Sequence, residues 1–116
     1  MIYACQLTDL PRGGSLRLAE LPGSPPVAVF HTEDGELFAV DDTCTHADAS
    51  LADGFVEGCA VECPLHAAIF DLRTGEADGL IARYPVRTHT VVCSDGGVYL
   101  QLSERLPHLP PHRATA

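Results

Sequence analysis

The sequence predicts an all-β domain, an antiparallel β-sandwich or small barrel, on three grounds. Short apolar runs recur about every 8–12 residues, turn residues separate them, and no window holds a 3.6-residue hydrophobic period. With 116 residues, 46 % of them hydrophobic, the chain has material for one core but not for two.

The elements follow in order. Gly13-Gly14 precedes Leu16-Arg17-Leu18, where apolar and polar residues alternate as on a half-buried strand. Pro25-Pro26 leads into Val27-Ala-Val-Phe30, a continuous apolar run of strand length. Glu33-Asp34-Gly35 is a hairpin turn into Leu37-Phe-Ala-Val40. Residues 42–58 read as a long loop with a helical turn near Ala49, and loops of that length in small domains are commonly functional. Strand signals resume at Ala60-Val61, Ala68-Ile-Phe70, Arg83 to Val86 and Thr90-Val-Val-Cys93. Asp95-Gly96-Gly97 then turns the chain into Val98-Tyr-Leu-Gln-Leu102. Residues 1–106 form the expected domain. The tail, residues 107–116, carries Pro107, Pro110 and Pro111 and is expected to be flexible.

Charge narrows the function. Seven Arg and no Lys stand against sixteen acids, a formal net charge of −9. That balance disfavours binding to nucleic acid, which needs cations for its phosphates, and to anionic membrane surfaces. No apolar stretch approaches membrane-spanning length. The N-terminal residues lack the basic start and apolar run of a signal peptide, so a cytoplasmic location is expected. Nine of the acids lie between positions 41 and 78, where Arg73 is the one basic residue. This acidic third predicts either plain solubility or steering of a basic partner.

Five Cys (5, 44, 59, 63 and 93) are an odd number, and in a reducing compartment thiols bind metal or fill cores more often than they pair. Cys44-Thr45-His46 and Cys63-Pro64-Leu65-His66 each set a His close behind a Cys, with sixteen residues between His46 and Cys63. Two thiolates and two imidazoles in two short clips suit tetrahedral zinc or an iron–sulfur cluster. Structural zinc sites more often run Cys-Cys then His-His. The Cys-His, Cys-His order fits a cluster in which one iron takes two Cys and the other two His. Cys5 and Cys93 fall on strand signals and are expected in the core, and Cys59 is expected to be a non-ligand. No role is expected for His31, His89, His108 or His112. No nucleophile–base pairing and no glycine-rich phosphate loop is visible, which argues against an enzyme with a small-molecule substrate of its own.

The pattern Cys44-x-His46-x16-Cys63-x2-His66, with Leu51-Ala-Asp-Gly54 and Phe70-Asp-Leu-Arg-Thr-Gly75, resembles the Rieske-type [2Fe–2S] ferredoxins of bacterial aromatic-ring-hydroxylating dioxygenase systems. The likeness spans residues 2–102. It implies one Rieske [2Fe–2S] cluster, with Cys44 and Cys63 on one iron and His46 and His66 on the other. It further implies a β base bearing a cluster-binding lobe at one end, about residues 43–72, with both His at the surface. The implied role is a one-electron carrier between a flavin-containing NAD(P)H-oxidising reductase and a terminal oxygenase. Two alternatives share the ligands: a Rieske-type small subunit of an assimilatory nitrite reductase, and a zinc-stabilised structural module. Residues 76–83 form a shorter connection than related ferredoxins carry, in a segment that in the family helps cover the cluster. High-potential Rieske proteins add a disulfide between the cluster loops and Ser and Tyr hydroxyl donors. The matching positions here are Ala49, Leu65, Ala68 and Phe70, which implies a low reduction potential.

Overall fold

A computed structural model describes residues 1–46, 48–65, 67–78 and 84–107. Among the described residues, nine strands, all pairing antiparallel, form two sheets. The larger sheet contains β1 (Ile2–Gln6), β2 (Ser15–Leu18), β3 (Val27–His31), β4 (Leu37–Asp41), β8 (Thr88–Ser94) and β9 (Gly97–Gln101), in the order β1-β9-β8-β4-β3-β2. The smaller contains β5 (Phe55–Glu57), β6 (Ala60–Glu62) and β7 (Ile69–Asp71). The larger sheet is the expected base and the smaller lies within the expected lobe. Most of the expected tail, residues 108–116, lies outside the described residues, as does the 79–83 part of the short connection.

The continuous apolar run at β3 reflects burial on both faces. Val27 and Val29, with Ala39 of β4, face a core containing Cys5, Leu10, Val98 and Leu100. Ala28 and Phe30, with Val40, face a second core containing Cys44, Leu51, Val61, Cys63, Ala68, Phe70, Leu72 and Val86. A strand covered on one side alternates; one covered on both does not. The β8–β9 hairpin turns through Asp95 (φ 50°) and Gly96 (φ 78°), the paired positive dihedrals that make Asp-Gly a tight hairpin connection.

Three expectations are corrected. Tyr84–Val86 is not a strand: Pro85 lacks an N–H, and the Val86 N–H is spent on the Gly75 carbonyl at 2.9 Å instead of a ladder. Gly75 itself has φ 79°, and a Cβ there would stand 2.1 Å from the Val86 oxygen, so only glycine fits. The long loop carries strand β5, and its helical turn is a 3-10 turn at Leu51–Asp53 rather than at Ala49. Cys93 is exposed, because β8 leaves the core beyond Val91.

At the end of β4, Asp41 is buried in a network that sequence reading left without a role. Its carboxylate accepts hydrogen bonds from Arg87 Nε (2.8 Å) and Nη2 (3.0 Å) and from His89 Nε2 (2.9 Å). The Ser103 N–H donates to His89 Nδ1 at 2.9 Å, which assigns the ring proton to Nε2. Arg87 Nη1 also donates to the carbonyls of Ser103 and Arg105, so the network ties β4, β8 and residues 103–105 together. Burial raises the Asp41 pKa, but the hydrogen bonds from His89 and Arg87 outweigh it and hold the carboxyl below its usual value. Its stabilising contribution is therefore complete above the unfolded-state value near 3.9 and is lost as pH falls through the lower folded value. Asp41→Asn, which leaves the Arg87 guanidinium buried without its counter-charge, is expected to cost about 3–5 kcal/mol. Urea denaturation at neutral pH measures this, and the variant should lose less stability than the wild type on acidification.

Candidate metal centre

The two clips are built alike. β4 runs through Asp42 and Thr43 to Cys44, whose N–H donates to the Ala49 carbonyl at 3.0 Å. β6 runs directly into Cys63, whose N–H donates to the Ala68 carbonyl at 2.7 Å. Each Cys thus opens a loop closed five residues later by its own amide. In the second loop the Ala67 N–H returns to the Cys63 carbonyl at 3.2 Å, and Ala67 takes a left-handed φ of 59°, uncommon for a residue with a side chain.

Asp42 shapes the first loop. Its Oδ1 accepts the Ser50 hydroxyl at 2.8 Å and the Ala52 N–H at 2.9 Å, and its carbonyl accepts the Leu51 N–H at 2.7 Å. Arg17 Nε, from β2, donates to Oδ2 at 2.8 Å. The Thr45 hydroxyl donates to the Tyr84 carbonyl at 2.7 Å, fastening the loop to the chain beyond the short connection.

Cys44 and Cys63 are 0 % and 1 % exposed and belong to one apolar cluster, whereas His46 is exposed. His66 lies outside the described residues. Among the described residues, no three His, Cys, Asp or Glu converge on one point. A cluster with two Cys on one iron and two His on the other asks only for pairs. Two buried thiols at the feet of matching loops, one with an outward imidazole two residues on, are a donor set that fits such a group.

The other thiols sit elsewhere. Cys59 precedes β6 at the end opposite Cys63, and its Sγ accepts a hydrogen bond from Arg73 Nη1 at 3.1 Å. Cys5 is buried beside Val98 on β9, and burial, followed by the charges of Asp9 and Cys93, pushes its thiol pKa up. The acidic third also divides. Asp41 and Asp42 are buried and paired with Arg87 and Arg17, so they belong to the framework and leave the other acids of the segment to set the surface potential. Sequence reading missed Asp42, Thr45 and Arg17. The adjacent acids closing an apolar strand were the available signal.

Comparison with known proteins agrees with this geometry. The family model describing the Rieske [2Fe-2S] domain matches residues 1–94, and the chain belongs to that family. One [2Fe–2S] cluster of Rieske type is accordingly its cofactor. More particularly, it is similar to a Photorhabdus laumondii protein named 3-phenylpropionate/cinnamic acid dioxygenase ferredoxin subunit. The two are 46 % identical over 104 residues, covering 89 % of this chain and 95 % of that one. Among solved structures, the Sphingomonas yanoikuyae B1 ferredoxin aligns with a TM-score of 0.79 at 33 % identity, covering 88 % of this chain and 98 % of that one. The fold also matches the ferredoxin-sized chain in the complex of reduced oxygenase and oxidized ferredoxin in carbazole 1,9a-dioxygenase. That match has a TM-score of 0.78 at 32 % identity and covers 86 % of this chain and 100 % of that one. The chain is thus a ferredoxin, an electron-transfer component and not a catalyst. No helix among the described residues is long and apolar enough to cross a membrane.

The thiols outside the clips should prove dispensable for the cluster. Cys93→Ser is expected to shift stability by no more than about 0.5 kcal/mol, as at other exposed positions. Cys5→Ser, which buries a hydroxyl, should cost about 1–3 kcal/mol. Denaturant midpoints and the visible spectrum of each variant check both.

Proposed function

We propose that Cys44, His46, Cys63 and His66 hold the Rieske cluster, and that this chain carries single electrons from a flavin-containing NAD(P)H reductase to a terminal aromatic-ring-hydroxylating oxygenase in the cytoplasm. The observation that carries the reading is the pair of matching loops, each with a buried Cys at its foot, on a chain 46 % identical to a dioxygenase ferredoxin subunit. The oxygenase partner has the further support of the carbazole dioxygenase complex, in which a ferredoxin of this fold meets its oxygenase. The nitrite reductase and zinc alternatives lack comparable support, since the relatives at this level of identity are dioxygenase ferredoxins.

A [2Fe–2S] cluster supplies one-electron chemistry; the chain sets its surroundings. Cys44 and Cys63 are buried in an apolar cluster with Leu51, Val61, Ala68 and Phe70, which shields the Cys side from water. His46 stands at the surface, the side from which an electron can leave over a short distance. Ala68 and Phe70 are both 0 % exposed and offer no side-chain donor to a sulfur. A buried site without such donors disfavours added negative charge and lowers the potential.

Two experiments test this. The reduced protein should give the rhombic EPR signal of a mixed Cys/His cluster, and His46→Ala or His66→Ala should each abolish it along with most of the colour. A variant that kept the normal signal would remove that residue from the ligand set. The potential should lie near the low end of the Rieske range, about −150 mV. Building back donors with Ala68→Ser and Phe70→Tyr should raise it. At about 59 mV per tenfold change for one electron, a bond worth roughly 1.5–3 kcal/mol gives ~60–130 mV each. Protein-film voltammetry reads the shift, and no rise in the double variant would refute this account of the potential.

A further inference from the structure

The small sheet has two faces, and the core covers one. Register places Val56, Val61 and Phe70 in a row whose Val61 and Phe70 are fully buried. The neighbouring row, on the opposite face, is Phe55, Glu62 and Ile69. Phe55 is 65 % and Ile69 38 % exposed, with Glu62 half-buried between them. A groove of about 210 Å³ runs along this face, lined by Phe55, Val56, Glu57, Ala60, Glu62 and Ile69. Neither Glu57 nor Glu62 has an ion-pair partner among the described residues, and Phe55 is absent from both apolar cores.

The position of the row matters as much as its composition. Glu62 immediately precedes Cys63, and Ile69 immediately follows Ala68, whose carbonyl closes the second loop. The row therefore crosses the sheet at the two feet of the loop that carries Cys63 and His66. A carboxylate flanked by an aromatic and an aliphatic side chain suits an Arg or Lys presented on an apolar surface. The cation meets Glu62 and the Phe55 ring while its methylene stem lies on Ile69. A second copy of this chain, itself at −9, would bring carboxylates against carboxylates, so the favoured occupant is basic. A small patch of this kind also suits a short-lived electron-transfer contact.

We propose that the Phe55–Glu62–Ile69 row is the docking face for the terminal oxygenase, and that the oxygenase meets it with Arg or Lys set among apolar side chains. The proposal rests on the carrier reading above. The test mixes reduced, cluster-loaded protein with the terminal oxygenase of a 3-phenylpropionate/cinnamic acid dioxygenase system and follows electron transfer by stopped flow. Phe55→Ser and Glu62→Gln should each lower the second-order rate constant about fivefold at low salt, with spectrum and potential unchanged. Glu62→Gln should also flatten its dependence on ionic strength. Asp9→Asn is the charge control: Asp9 follows β1 in a 3-10 turn beside the β8–β9 hairpin, at the end of the large sheet away from Cys44. It should leave the rate unchanged. Rates within twofold of wild type for both row variants, or an equal loss in Asp9→Asn, would overturn the proposal. A wild-type protein that holds a cluster yet passes no electron to the oxygenase would instead overturn the carrier reading, before any variant is made.

Discussion

The β3–β4 hairpin is buried on both faces, and the metal centre depends on that. Alternate side chains of these two strands feed two separate apolar clusters, one inside the base and one beneath the lobe. Phe30 and Val40 share their cluster with Cys44 and Cys63, so the base and both candidate thiolates lie in one packed unit with no covalent tie. Interiors packed to crystal-like density transmit displacement. A change in the hairpin would therefore be felt at the cysteines, and the thiol positions are as rigid as the sheet that carries them.

Where β4 ends, the same alternation continues in carboxylates. Asp41 turns to Arg87 and His89 and locks β4 to β8, while Asp42 turns to Arg17, Ser50 and the Ala52 amide and folds the loop that follows. Buried charge is costly without partners, and both are supplied with them. Two acids that look like surface charge in the sequence are thus framework.

Much of this was legible in the sequence. Apolar runs and Asp-Gly turns located the base strands, and the Cys-x-His and Cys-x-x-His spacing located both loops. What was not legible has physical causes. β5 is three residues long, too short for a period to show. Tyr84-Pro-Val86 has the composition of a strand, but its pairing amide is taken by Gly75. Cys93 sits in a strand whose alternation is correct but whose end projects past the core. Asp41 and Asp42 acquire their meaning from Arg17 and Arg87, distant in sequence and adjacent only after folding.

The Gly75–Val86 contact separates the length of the intervening chain from the integrity of the fold. Gly75 N–H is held by Asp71 at 2.7 Å, and its carbonyl holds the Val86 N–H. Residues 76–78 stay on the domain beside β7, with the Asp71 N–H donating to the Glu76 carbonyl and the Asp78 N–H to the Ile69 carbonyl, both at 2.9 Å, and the chain is held again at Tyr84 and Val86. Lengthening a loop between pinned ends costs only the logarithm of its length, about 0.6 kcal/mol per doubling. A change of length between Asp78 and Tyr84 should therefore cost the fold little, whereas residues 76–78 and Tyr84, tied to β7 and to Thr45 of the first cysteine loop, cannot be exchanged along with it.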